Sequence, residues 1–137
     1  MSSRSNDERG QGLVELALIV PVLLLLLIGI LDLGRAVMLT NELDNAAREG
    51  TRYAIVHGKN GGNASAGEIQ TAVLRYTTGA TTTPTVNVSW PDPEGNARGH
   101  PVTVDVNTSF TPMLSAFFLG GALRATLGSS STLTIQQ

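Results

Sequence analysis

From Leu16 to Leu31 the chain is hydrocarbon, broken only by Pro21 and Gly29, and the residue in front of that run is an acid, Glu15. Few features constrain a fold more. A helix over Leu13–Leu31 covers roughly 28 Å at the helical rise, close to the thickness of a bilayer's hydrocarbon core. The run opens Gly10-Gln11-Gly12-Leu13-Val14-Glu15. A carboxylate inside an apolar flank costs up to ~3 kcal/mol at mid-bilayer and less toward the end.

Three kinds of segment have this outline. A secretory signal has a shorter apolar core, and the small-x-small site after this run, Gly34-Arg35-Ala36, is a poor one. A plain anchor leaves Glu15 without a purpose. A prepilin-type signal uses the residues best, because its peptidase cuts on the cytoplasmic side and leaves the apolar segment on the mature protein. A cut between Gly10 and Gln11 makes Glu15 the fifth mature residue. Gln11 and Glu15 then share a helix face. The new α-ammonium, with a pKa near ~8, can pair with a carboxylate of its own chain or of a neighbour. A pair between subunits would set their axial register, since an unpaired charge in lipid is costly. Pro21 removes the N–H that would bond the Ala17 carbonyl, which marks a helix kink. Met1–Gly10 is polar and aperiodic, and is expected to be a disordered leader. Arg4 and Arg9 before the span and Arg35 and Arg48 after it leave the positive-inside rule nearly silent. The short N-terminus and the Ser/Thr-rich tail favour a head outside the membrane.

Beyond Leu31 the composition changes and the period does not. Ala36, Leu39, Leu43, Ala46, Ala47, Gly50, Tyr53 and Ala54 recur at spacings of three and four, an amphipathic pattern with a small-residue face. Asp32, Arg35, Glu42, Asp44, Asn45, Arg48, Glu49 and Arg52 occupy much of the other face, where Asp44–Arg48 and Glu49–Arg52 are helical neighbours of opposite sign. Span and stem therefore read as one helix, roughly 65 Å long, ended by the glycines after His57.

These residues carry a resemblance. Val14-Glu15-Leu16-Ala17-Leu18, Pro21 within the span, Asp32-Leu33-Gly34-Arg35 at its exit, and Ala47-Arg48-Glu49-Gly50-Thr51-Arg52-Tyr53-Ala54 in the stem resemble the TadE-like family of pilin-related proteins. Leu16 stands where the family usually has Phe or Tyr. The resemblance implies a pilin-like or minor-pilin component of the tight-adherence (Flp) pilus machinery. It implies single-pass insertion in the bacterial inner membrane with the head extracytoplasmic, and incorporation in, or association with, a pilus. Its implied partners are a prepilin-type peptidase, other pilin-like subunits and the lipid bilayer. Carried onto this chain, Gly10 is the last leader residue, Gln11 the mature N-terminus and Glu15 the membrane carboxylate.

The remainder reads as a small α+β head. Ser65 and Glu68 form a capping-box pattern before an amphipathic helix over Ala66–Thr77, with Ile69, Ala72, Val73 and Tyr76 on one face. Thr78–Pro84 is a linker. Thr85–Trp90 and Pro101–Phe110 alternate and read as an antiparallel hairpin around the loop Pro91–His100. Ala122–Ile135 reads as a third strand, interrupted or bulged near Gly128–Ser130. The expected fold is a long transmembrane-plus-stem helix on a three-stranded antiparallel sheet, a pilin-like α+β arrangement. Its expected organisation is leader 1–10, span and stem 11–57, and head 58–137. Within Thr111–Gly121, the usual burial of Phe puts Phe117 and Phe118 in the core; the other reading is an exposed patch for a pilus partner or lipid.

Chemistry is sparse. The balance of nine basic and eleven acidic residues leaves no basic footprint for nucleic acid. Without cysteine there is no disulfide framework or thiolate site. Asp92, Glu94 and Asn96 space oxygen donors by two, but lack the glycine and closing acid of a calcium loop. His57 and His100 stand alone and are expected at the surface; Asn63, Asn87 and Asn107 open Asn-x-Ser sequons near the frequency of chance in so Ser-rich a chain. No cofactor and no enzymatic activity are expected. The alternative to a pilus component is an uncleaved bitopic envelope protein whose head binds a ligand or surface.

Overall fold

The computed structural model describes residues 4–57, 64–80, 82–91 and 97–136, with side chains from Gly10 onward. One helix, α1 (Arg4–Val56), includes the span and the stem and passes through Pro21 without a break. It starts at Arg4, inside the stretch expected to be a disordered leader. That polar segment lacks an apolar period, but it holds no Pro, and extending an existing helix costs far less than nucleating one. The head follows: α2 (Ala66–Leu74), β1 (Thr85–Ser89), β2 (Pro101–Phe110), α3 (Met113–Phe118) and β3 (Ala125–Thr134).

The strands form one antiparallel sheet in the order β1-β2-β3. Val86 faces Val106 and Val88 faces Val104 across β1 and β2. The pairing of β2 with β3 runs unbroken from Pro101–Thr134 to Phe110–Ala125, so the expected interruption or bulge near Gly128–Ser130 is absent. Gly128 has another reason to be glycine. It lies opposite Asn107, whose side-chain amide fills the space a Cβ would take.

The core lies where this sheet and α2 meet the upper half of α1. Leu43, Ala46, Ala47 and Ala54 of the stem, Ile69 and Val73 of α2, and Val102, Val104 and Val106 of β2 are buried together with Ile135. Their alternation in β2 is the period-2 pattern of a strand with one covered face. The small stem residues let the sheet approach the helix closely. At Gly50 the approach is tightest: a Cβ there would collide with the Val73 side chain and lie 3.2 Å from Val104 Cγ1. Beside it, the buried Thr51 hydroxyl donates to the Ala47 carbonyl at 2.7 Å and is 3.2 Å from the Ser131 carbonyl of β3.

The capping box forms as expected, with Glu68 N–H donating to Ser65 Oγ and Ser65 N–H to Glu68 Oε2. Its helix stops at Leu74 rather than Thr77. Tyr76 N–H bonds the Val73 carbonyl and the Thr77 hydroxyl bonds that of Leu74, which closes the last turn early. Tyr76 consequently leaves the core face and is 49% exposed. Glu42, expected on the solvated face, accepts the Gly79 N–H at 2.7 Å and thereby ties the linker to the stem.

Candidate functional site

The residues that the span pattern and the family resemblance mark lie on α1, and apart from Pro21 they separate into three groups along it. At the lower end, Gly10, Gln11 and Glu15 are exposed and helical. Gln11 and Glu15 sit one turn apart, as helical spacing requires. Among the described residues Glu15 has no hydrogen-bond or ion-pair partner.

The second group is the exit of the span. Asp32, expected on the solvated face of the stem, is buried. Its carboxylate accepts the backbone N–H groups of Met113 at 2.9 Å and Leu114 at 3.3 Å. Pro112, the residue before α3, supplies no side-chain cap of its own. Asp32 therefore caps α3 from across the fold, satisfying donors that a helix leaves open at its start. Arg35 completes the arrangement: its Nη1 lies 3.2 Å from Asp32 Oδ1, and its guanidinium carbon lies 5.5 Å from the centre of the Phe110 ring. Among the described residues this is the one ion pair, so the neighbouring charges Asp44–Arg48 and Glu49–Arg52 do not close into bridges. Gly34 has nothing within contact range of its missing side chain.

The third group is the stem motif. It divides by face. Ala47, Gly50, Thr51 and Ala54 point into the head, whereas Arg48 and Arg52 are exposed. Tyr53 stacks on His57, their rings 4.2 Å apart. His57 and His100 are half-buried rather than fully at the surface. An open cleft of about 430 Å³ between α1 and α2 is lined by Glu49, Tyr53, Glu68, Thr71, Arg75 and Tyr76. Glu68 is held below the usual carboxylate range, first by the Ser65 backbone N–H and then by the Ser65 hydroxyl. No cluster of metal-ligating side chains exists among the described residues. Asp92, Glu94 and Asn96 lie outside them.

The expected burial of Phe117 and Phe118 is overturned: they are 88% and 69% exposed. Sequence reasoning also missed that α3 lies against the span. Pro21, Leu24, Leu25 and Ile28 of α1 face Leu114, Phe117, Phe118 and Leu119 across an apolar groove of about 640 Å³. The cue was available in Thr111–Gly121, an apolar run with no charge, too short to be a span and too apolar for a solvated loop.

A single helix long and apolar enough to cross a membrane, continuing as the spine of a small sheet domain, fits a single-pass membrane protein with a stalked head. The family model for TadE-like protein matches residues 10–52, the stretch that carries the resemblance. The match covers the span and most of the stem, about a third of the chain, and leaves the head outside it. No curated protein and no solved structure matches the chain.

Proposed function

We propose that this protein is a minor pilin or pseudopilin of a tight-adherence pilus, inserted in the inner membrane with its head outside and processed between Gly10 and Gln11. The observation that carries the reading is the division of α1. Within the subunit, the TadE-like segment uses Ala46, Ala47 and Gly50 for its own core, yet leaves Glu15, Arg48 and Arg52 exposed. Polar positions that match a family pattern but have no ion-pair partner among the described residues fit contacts between subunits. A carboxylate at the membrane edge is tolerable when paired, and the α-ammonium created at Gln11 is a partner of the right charge. In this organisation residues 1–10 are the leader, 11–57 the membrane and stem helix, and 58–137 the head.

Intact-mass measurement of membrane-extracted protein from cells with a prepilin-type peptidase tests the processing. The expected mass is that of a chain beginning at Gln11; a chain that keeps Arg4 and Arg9 removes the processing claim. Crosslinking tests the role. Links between spans of neighbouring copies or to another pilin support assembly, whereas links confined to the head and a soluble ligand favour a bitopic binding protein.

A further inference from the structure

We propose that α3 and the turn after it, Met113–Leu123, form a second membrane element that inserts into the head-side leaflet beside the span. The inference rests on reading α1 as a bilayer-spanning helix. Position is the first argument. The tip packs along Pro21–Ile28 of the span, below Asp32 rather than above it. With Leu31 at the edge of the hydrocarbon, Pro21 lies about 15 Å deeper at the helical rise, near the middle of a bilayer core. Any segment packed beside Pro21–Ile28 shares that depth, so the lipid-facing surface of the span continues without interruption onto α3.

Composition is the second. Met113, Phe117, Phe118, Leu119 and Leu123 are all exposed, and no charge occurs until Arg124, which places a cation where the segment returns to the headgroups. Such a contiguous aromatic and aliphatic surface is a partner site on a soluble domain; at this depth the partner is acyl chain.

The third argument is the hydrogen bonding, which is what lipid demands of a backbone. Asp32 accepts the N–H groups of Met113 and Leu114. Ala116 N–H bonds the Pro112 carbonyl, and Leu119 and Gly121 both bond the Ser115 carbonyl. Ala122 bonds the Leu119 carbonyl, and Leu123 N–H reaches the buried Ser115 hydroxyl at 2.9 Å. Gly120 and Gly121 supply the positive φ angles, 58° and 78°, that let the chain reverse and satisfy these donors. The turn thus exposes hydrocarbon while these seven amides find acceptors within the protein.

The chain has no cysteine, so single nitroxide labels can report on each position. The full protein is reconstituted in phosphatidylethanolamine–phosphatidylglycerol vesicles with labels at Phe117→Cys, Phe118→Cys, Leu23→Cys in the span and Ser89→Cys on β1. Collision with oxygen, which partitions into lipid, is compared with collision with a water-soluble nickel chelate. Labels at 117 and 118 are expected to match the label at 23, with an oxygen-to-nickel ratio several-fold above that at 89. A lipid-like ratio at 23 with a water-like ratio at 117 and 118 overturns the tip proposal alone. A water-like ratio at 23 as well overturns the span on which it rests. Shielding of 117 from both reagents, with dipolar broadening between copies, would make the tip a contact between subunits and also overturn the proposal.

Discussion

Asp32 and Met113 are 81 positions apart, and the carboxylate of one caps the first amide of the helix that begins with the other at 2.9 Å. This bond and its neighbour to Leu114 attach the end of the head to the mouth of the span. Asp32→Ala removes the acceptor for two backbone donors in a buried place. The expected loss is about 0.5–2 kcal/mol, the usual cost of deleting a cap. Thermal unfolding of the full protein in detergent micelles measures it, and limited proteolysis within Met113–Leu123 should quicken. Asp32→Asn keeps one oxygen acceptor but loses the charge that faces Arg35, and should fall between wild type and Asp32→Ala.

Gly50 and Gly34 both belong to the segment that matches the family model, and they should respond oppositely to a methyl group. At Gly50 the added Cβ meets Val73, a buried side chain that is stiff at χ1 and has nowhere to turn. Alanine gains up to ~1 kcal/mol of helix propensity there, while overpacking costs ~1–3 kcal/mol. A net loss of stability is expected for Gly50→Ala and a larger one for Gly50→Leu. At Gly34 nothing occupies the space, so Gly34→Ala should leave stability unchanged or raise it. Chemical denaturation followed by the fluorescence of Trp90 ranks the three variants.

The two glycines also show what the sequence made legible. The three-and-four spacing of Leu39, Leu43, Ala46, Ala47 and Ala54 exposed the buried face of the stem directly, because helical geometry alone fixes which residues share a face. Strict alternation did the same for β2, and the Ser65–Glu68 pair for the start of α2. Contacts between distant segments carry no such period. The Asp32 cap, the Glu42 bond to Gly79 and the seat of α3 beside the span each join residues whose spacing says nothing about proximity. Phe117 and Phe118 escape the expected burial for a related reason. Phenylalanine is usually buried because its solvent is usually water, and the rule loses its basis for a segment lying against a membrane span.

The capping box gives the head a pH dependence of definite sign. Glu68 has its pKa lowered in the folded state by the Ser65 backbone N–H and hydroxyl. A group of that kind contributes stability in full above its unfolded pKa and loses it as the pH falls through its lower folded value. Comparing melting temperatures of wild type and Glu68→Ala across pH should therefore show the gap widest near neutrality. The gap should narrow once the pH drops below the ordinary carboxylate range. A gap that widened on acidification would contradict the box as its source.

Arg48 and Arg52 face away from the head, and among the described residues neither has an ion-pair partner. Surface changes of this kind usually move stability by no more than about 0.5 kcal/mol. The double variant Arg48→Ala/Arg52→Ala should fold and insert as wild type. If these guanidinium groups meet a neighbouring subunit, the same variant should lower the number of pili per cell, counted by electron microscopy. Normal piliation would assign them to solvent.

Glu15 offers the sharpest division between a span that only anchors and one that assembles. Its carboxylate is exposed at the edge of the apolar run, one helical turn above Gln11, and the subunit supplies no partner among its described residues. For an anchor, Glu15→Ala removes a cost of up to ~3 kcal/mol and should make insertion easier with no other effect. For an assembling subunit, the same change deletes the partner of a neighbour's α-ammonium and leaves that charge alone in lipid. Membrane fractionation and pilus counts on the same cells separate the two. The expected result is insertion equal to or above wild type with piliation reduced. Glu15→Asp, which keeps the charge on a shorter arm, should recover part of the pili. Full piliation by the alanine variant would return Glu15 to the status of a tolerated acid and leave the cut after Gly10 without its chemical purpose.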